Sequence, residues 1–140
     1  MKACVIFDTR YGNTEKIARA LGAGLEEAGI QTACVNVKDS AVGSLSQYDL
    51  ICVGGPTQYR TASETMQGFL GSLRSVDLAG KAVFAFDTKR DLPLAGSAAK
   101  YIEEVLAKQG MKIVSRRASA TMVNPEPERR KEEFENKDEW

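Results

Sequence analysis

Apolar runs of strand length alternate along the chain with stretches whose apolar residues recur at helical spacing. Lys2–Phe7 is almost continuously apolar and predicts a buried strand. Behind it, Ile17, Leu21 and Leu25 fall on one side of a helix that is expected to end near Gly29. Further strands are predicted at residues 32–37, 49–54, 81–87 and 111–114, the last continuing toward Val123, and further helices at 64–73 and from 98 to Gly110.

This alternation predicts an α/β fold built on a parallel sheet. Its inner strands are apolar throughout, which is typical of a sheet covered by helices on both faces. Residues 38–47 have only weak periodicity and are expected to connect two strands without a regular helix. Ser63 and Ser97 stand directly before helical stretches and are predicted to be their N-caps.

The loop after the first strand carries the densest set of phosphate-binding groups. It reads Thr9-Arg10-Tyr11-Gly12-Asn13-Thr14 and leads into a helix. A helix N-terminus presents unpaired N–H groups and the positive end of a dipole, which suit a phosphate monoester. Gly12 lets the backbone turn sharply, and the hydroxyl and amide side chains add donors. The alternative is an ordinary strand-to-helix turn with Asn13 or Thr14 as N-cap.

This loop resembles the phosphate loop of the flavodoxin family, Thr/Ser-x-Thr-Gly-Asn-Thr. Thr9, Gly12, Asn13 and Thr14 match that pattern, and Tyr11 replaces the central threonine. The resemblance extends over residues 2–123 and implies a three-layer α/β/α fold. It also implies a five-stranded parallel sheet of order 2-1-3-4-5 and a flavin mononucleotide (FMN) cofactor used for electron transfer. The cofactor would lie where the strand order reverses, among residues 8–14, 55–62 and 87–96.

The second of these loops is expected to form one wall of the flavin site. It follows two glycines and contains Pro56, Thr57, Gln58, Tyr59 and Arg60. The glycines allow close approach to a flat ligand, the proline stiffens the turn, and the threonine can donate a hydrogen bond. The tyrosine offers the flat apolar face that stacking on the flavin ring requires. The alternative is a surface aromatic that covers the core.

The third loop contains Asp87, Thr88, Lys89 and Arg90, whose backbone is expected to bond the pyrimidine edge of the flavin. No aromatic follows before residue 101, so the outer flavin face that flavodoxins cover with tyrosine is expected to be open. The two cations would favour the anionic reduced flavin. The alternative is that both are solvated surface charges.

Electron transfer between redox enzymes is therefore the expected function. Two alternatives remain open, an FMN-dependent NAD(P)H or quinone oxidoreductase and a flavin-free module that acts in binding. The oxidoreductase is favoured by the open flavin face and by the lack of glycine between Pro56 and Glu64. Without glycine, a peptide flip to positive φ costs about 1–2 kcal/mol, which would weaken a neutral one-electron-reduced flavin. The flavin supplies the redox chemistry, and no protein nucleophile or base is expected.

The amino-acid composition limits the kinds of partner and ligand that are expected for this chain. The chain has 140 residues, and 19 Lys and Arg balance 19 Asp and Glu, so neither nucleic acid nor an anionic membrane is an expected partner. The chain contains no histidine, which excludes a histidine-ligated metal. Cys4, Cys34 and Cys52 lie in predicted strands and are expected to be reduced core thiols of a cytoplasmic protein without a signal peptide. A redox partner protein, or a quinone or NAD(P)H, is the expected partner.

The last sixteen residues differ from the rest of the chain in charge and apolar content. Residues 1–124 are expected to form the FMN-binding domain, and residues 125–140 a charged segment with a short final helix. Seven acidic and four basic residues give this segment a charge of −3, with Phe134 nearly its only apolar contact. We expect a frayed final helix; the alternative is a segment that docks on a second subunit in a homodimer.

Overall fold

A computed structural model describes residues 1–90 and 95–122 of the protein. The strands are β1 (Lys2–Phe7), β2 (Gln31–Asn36), β3 (Leu50–Gln58), β4 (Thr61–Ala62), β5 (Ala82–Arg90), β6 (Lys112–Ile113) and β7 (Ala118–Met122). The helices are α1 (Asn13–Glu27), α2 (Glu64–Ser72) and α3 (Ala98–Lys108). Short 3₁₀ turns occupy Val37–Asp39, Val42–Gln47 and Leu73–Ser75. The charged segment 125–140 and its predicted final helix lie outside the described residues.

The sheet has the order β2-β1-β3-β5-β6, and all of these neighbours are parallel. β7 pairs with β5 beyond the end of β6, so β6 and β7 together occupy the fifth position. The predicted order 2-1-3-4-5 and the three-layer α/β/α architecture are confirmed. The strand order reverses between β1 and β3, which places their carboxyl ends at the edge where such folds bind ligands.

Three features of the sheet differ from the prediction. The fifth strand is interrupted between Ile113 and Ala118, at an edge position where leaving the sheet costs hydrogen bonds on one side only. β3 and β5 run four and three residues past their predicted ends, because each pairs with the other as far as Pro56 and Thr88. The two-residue antiparallel strand β4 is too short to give a periodic signal.

Successive strand residues point to opposite faces of the sheet and are buried in two separate hydrophobic clusters. Cys4 and Ile6 face α2 and α3, where the larger buried cluster includes Met66, Leu70 and Ile102. The intervening strand residues face α1 in a smaller cluster, which consists of Val5, Phe7, Ala18, Cys52 and Phe86. The sheet is therefore covered on both faces, as its apolar inner strands predicted. No helix within residues 1–90 and 95–122 has the length and apolar character needed to cross a lipid bilayer.

Candidate functional site

The loop after β1 turns into α1 at a glycine. Gly12 is the N-cap residue with φ of 88°, a left-handed conformation that favours glycine, and the helix begins at Asn13. The backbone N–H of Gly12 donates to Thr9 Oγ1 at 2.9 Å, which folds the loop back on itself. The alternative in which Asn13 or Thr14 caps this helix is wrong, because both residues already belong to the first turn.

Helices α2 and α3 carry side-chain caps. Ser63 Oγ accepts from Met66 N at 3.1 Å at the start of α2, and it also donates to the carboxylate of Asp8. Ser97 Oγ accepts from Lys100 N at 3.1 Å at the start of α3. Both predicted serine caps are confirmed.

The first turn of α3 receives two more acceptors from the sheet. Thr57 Oγ1 accepts from Ala98 N at 3.0 Å, and Asp87 Oδ2 accepts from Ala99 N at 2.9 Å. The N-terminus of α3 is therefore satisfied from within the protein. At α1 the cap is a glycine, which has no side chain to offer, so of these three described helices α1 has the N-terminus suited to an external anion.

Thr14 links the first loop to β5. Its hydroxyl lies 2.9 Å from that of Thr88, and either oxygen can be the donor. Both side chains are almost fully buried. If Thr88 donates, the proton of Thr14 is left for a ligand at the start of α1, so this contact orients the threonine without removing its capacity as a donor.

The loop after β3 is a tight hairpin. β3 pairs antiparallel with β4 through Thr57–Ala62 and Gln58–Thr61, which leaves Tyr59 and Arg60 as the two turn residues. Their φ angles are 49° and 70°, so both central residues are left-handed, as in a type I′ turn. Such turns usually contain Asn-Gly, because a residue with a Cβ pays about 1–2 kcal/mol in this region.

This hairpin corrects one expectation. The lack of glycine between Pro56 and Glu64 predicts a barrier to positive φ, yet the folded chain already holds Tyr59 and Arg60 there. Backbone strain of this kind persists only where the surroundings impose it and is concentrated at functional sites. Tyr59 stands at the tip with 60% of its surface exposed, so its ring can receive a ligand.

The segment before the hairpin also differs from its predicted role. Pro56 lies inside β3, paired with Thr88, and does not form a turn. A Cβ on Gly54 would lie 2.1 Å from the ring of Phe86, so this glycine is required by core packing. Gly55 would meet Asp8 and Met66 only at ordinary contact distance. Neither glycine therefore needs a ligand to explain it.

Residues 87–90 belong to a strand as well. β5 continues to Arg90, with its ladder to β7 extending two residues beyond the end of its ladder to β3. Asp87 is fully buried; its Oδ2 also accepts from Ser97 Oγ at 2.7 Å, whereas Oδ1 has no hydrogen-bond partner among the described residues. Lys89 and Arg90 are only partly buried.

The first two loops line one cavity, and no described residue of the third segment (87–90 and 95–96) lines it. A cavity of about 280 Å³ is lined by Thr9 and Arg10 of the first loop and by Pro56 and Gln58 of β3. Sequence reasoning missed its remaining lining residues, which are Asp8, Lys38, Ser63, Glu64 and Thr65. Lys89 instead lines a wider groove of about 910 Å³ beside the interruption of the fifth strand. The link between the third segment and the first loop is the Thr14–Thr88 contact.

The cysteines do not form a redox site. Burial raises the pKa of the Cys4 thiol to about 11, and a neighbouring cysteine adds to the shift. Burial likewise raises the pKa of Cys52 to about 12 and that of the half-buried Cys34 above its usual value. All three are free and stay protonated near neutral pH, which makes them poor nucleophiles. No group suited to hold a metal occurs among residues 1–90 and 95–122.

The family model described as Flavodoxin matches residues 5–136. The chain belongs to the flavodoxin family. This confirms the predicted family and its role as a flavin-binding electron-transfer protein. The flavodoxin of Maridesulfovibrio salexigens is 29% identical over 133 residues, which cover 91% of this chain and 89% of that protein.

Two further comparisons concern the extent of the likeness. An uncharacterised protein of Methanocaldococcus jannaschii is 26% identical over 138 residues, which are 96% of this chain but 34% of that protein. The chain thus spans about a third of that relative. The solved structure of a flavodoxin from the domain Archaea superposes with a TM-score of 0.81 at 24% identity, covering 94% of this chain and 90% of the other, and supports the flavodoxin fold.

The residues that sequence reasoning missed act through tertiary contacts. Asp8 follows an apolar strand and carries no motif, yet it bonds the cap of α2. Gly96 falls at the end of the segment 87–96 expected around the cofactor, but its bridge with Arg60 of the hairpin was not predicted. Neither contact has a sequence signal, because each joins positions that are distant along the chain.

Proposed function

We propose that this flavodoxin-family protein binds FMN at the carboxyl edge of its sheet and acts as an electron carrier. The observation that supports the cofactor most directly is the contrast among the helix N-termini. α2 and α3 are capped by side chains of the protein, whereas α1 starts at a glycine in a loop rich in hydroxyl groups. A phosphate monoester supplies the acceptors that such an N-terminus lacks.

The phosphate would be held by the loop after β1. Thr9 Oγ1 accepts from Gly12 N, so the hydroxyl proton of Thr9 can be donated to an anion. Thr14 can donate in the same way while Thr88 fixes its rotamer. Asn13 adds an amide, and the first-turn N–H groups add the helix dipole. Arg10 and Tyr11 lie in the same loop, and the guanidinium stacks on the tyrosine ring at 5.3 Å.

The ring system would lie against the hairpin after β3. Tyr59 is the exposed aromatic there and would stack on one flavin face. Gln58 and Thr57 are buried behind it and hold the hairpin to the sheet and to α3. The end of β5, with Thr88, Lys89 and Arg90, would face the pyrimidine edge, where a cation favours added negative charge.

Each chain residue in this proposal has a binding or electrostatic role. When bound, the flavin supplies the electron-transfer chemistry, and the protein positions it and sets its surroundings. The phosphate loop discriminates in favour of the phosphorylated cofactor, the hairpin orients the ring, and the cations tune the potential. A redox partner protein would then exchange electrons at the exposed edge.

The experiment that tests this function is a titration of the purified flavin-free protein with FMN, followed by visible absorption and fluorescence. A carrier binds FMN, is reduced by dithionite, is reoxidised by a one-electron acceptor, and is not bleached by NADH or NADPH alone. Bleaching by either nicotinamide nucleotide without a partner would support the oxidoreductase alternative instead. Failure to bind FMN would support the flavin-free module.

A further inference from the structure

Gly96 lies directly against the tip of the hairpin. It forms a parallel bridge with Arg60, and the neighbouring Ser97 N donates to Arg60 O at 3.3 Å. These contacts join the segment before α3 to the turn after β3, although 36 positions separate the two residues in the chain. The turn is thereby held from outside as well as by its own two-residue ladder.

No other residue fits at position 96 in this arrangement. A Cβ there would lie 2.3 Å from Arg60 Cα, 2.4 Å from Arg60 Cβ and 2.6 Å from Arg60 O. Two of these three atoms belong to the backbone, so rotating the arginine side chain cannot relieve the overlap. The φ of Gly96 is also 77°, which by itself disfavours a side chain.

The hairpin needs such support because its turn lacks glycine. Tyr59 and Arg60 both occupy the left-handed region, which their side chains oppose. The ladder fixes the turn on one side, and the bridge to Gly96 fixes the carbonyl of Arg60 on the other. If Arg60 moved away, the turn could relax to another geometry, and the ring of Tyr59 would change its direction.

We propose that Gly96 is a positioning residue that imposes the left-handed turn at Tyr59 and Arg60 and so presents the tyrosine ring to the flavin. The inference rests on the proposed FMN function and deepens it. Gly96 acts through Arg60, and its own role is to let two backbones approach each other. Gly96 and the strained turn therefore act together to orient Tyr59 at the proposed flavin-binding edge.

The test compares Gly96→Ala with Gly80→Ala. Gly80 has nearly the same φ, 82°, but a Cβ there meets no atom within 4 Å. It precedes β5 at the amino edge of the sheet, away from the proposed site. Both variants carry similar φ strain, so any difference between them reports the contact with Arg60.

The first measurement uses flavin-free protein, by NMR. In Gly96→Ala we expect the chemical shifts and coupling constants of Tyr59 and Arg60 to lose their left-handed values and the amide of Ser97 to exchange faster. Gly80→Ala should leave all three unchanged. A left-handed turn that survives in Gly96→Ala would overturn the proposal. Because no flavin is present, this outcome is independent of whether the protein binds FMN.

The second measurement is FMN affinity by fluorescence titration. Gly96→Ala should weaken binding about tenfold, as expected for loss of one stacking contact, and Gly80→Ala should not. In a Tyr59→Ala background Gly96→Ala should have little further effect, because both changes remove the same contact. Fully additive effects would contradict action through the tyrosine. If wild-type protein does not bind FMN, the proposed function fails, and the NMR result alone decides the role of Gly96.

A second variant guards against simple misfolding. Adding Arg60→Gly to Gly96→Ala removes one of the clashing atoms and gives the turn a residue that accepts positive φ. We expect it to restore the left-handed turn in part. Equal disruption in the double variant, with folding retained, would show that overlap with the Arg60 backbone alone displaces the turn, which also supports the proposal; a native left-handed turn in Gly96→Ala alone remains the result that overturns it.

Discussion

The loop after β1 and the hairpin after β3 both contain residues with positive φ, but they stabilise this conformation in different ways. Each needs a left-handed residue at the carboxyl edge of the sheet. The first places glycine there, at Gly12, in open space. The second places Tyr59 and Arg60 there and relies on Gly96, far along the chain, to hold them. The first geometry is encoded locally, whereas the second is imposed by tertiary contact.

The difference has a functional consequence. A glycine turn leaves backbone N–H groups accessible, which suits a phosphate. A side-chain-bearing turn projects an aromatic ring, which suits a flat ligand, but it carries strain. The two loops therefore divide the proposed recognition of FMN into an anion-binding half and a stacking half, and each half can be tested by its own variants.

The largest effect is expected in the anion-binding half. Asn13→Ala with Thr14→Ala removes two hydrogen bonds to a charged group, each worth roughly 1.5–3 kcal/mol, so FMN affinity should fall about a hundredfold or more. Riboflavin affinity should change little, because riboflavin has no phosphate. Thr32→Ala is the matched control, since its hydroxyl donates to Ile30 O at the start of β2, away from the loop after β1. An equal loss for both ligands would place the loop away from the phosphate.

The stacking half should give a smaller effect. Tyr59→Ala should weaken FMN and riboflavin alike by roughly 1–3 kcal/mol, the range seen when aromatic side chains under stacked bases are removed. Tyr59→Phe keeps the ring and should keep the affinity. Fluorescence titration checks both. Unchanged affinity in Tyr59→Ala would return the tyrosine to a surface role without a ligand.

One substitution in each loop should change the free energy of unfolding in opposite directions. Gly12→Ala places a Cβ at φ 88° and should lower the free energy of unfolding by about 1–2 kcal/mol. Arg60→Gly relieves strain of the same kind and, after the entropy of the unfolded chain is counted, should be neutral or raise it by up to about 1 kcal/mol. Urea denaturation of the two variants supplies both values. Destabilisation by Arg60→Gly beyond that range would mean that the arginine side chain stabilises the turn.

The smallest effect concerns the cations beside the two loops. Lys89→Gln with Arg90→Gln should lower the potential of the second reduction step. One charge at about 8 Å in a water-like dielectric contributes only about 0.5 kcal/mol, so the shift should be small unless the site excludes water. A spectroelectrochemical titration measures it. A potential that does not move in low salt would show that both cations are solvated surface charges.

The chain's local signals predicted most of the fold. Lys2–Phe7 was predicted with the observed bounds, and Ser63 and Ser97 were identified as caps, because strands and caps depend on neighbouring residues. The extensions of β3 and β5 were missed, since the glycines and Pro56 are loop signals that the central position of the strand overrides.

In the candidate site, too, features formed by neighbouring residues could be predicted and contacts between distant segments could not. The turn from β1 into α1 could be predicted because its residues are contiguous, and its phosphate-binding role stays a prediction. The contact between Thr14 and Thr88, the cap of α3 by Asp87, and the bridge from Gly96 to Arg60 could not, because each joins two distant segments. The sequence therefore indicated that the first two loops meet, and the structure supplies the contacts between distant segments.

The central claim is that the start of α1 receives the phosphate of FMN. Parallel fluorescence titrations of flavin-free wild-type protein with FMN and with riboflavin test it most directly. We predict that FMN binds about a hundredfold more tightly or better, because the phosphate alone engages the donors of the loop after β1. Equal affinity for the two flavins would contradict the account.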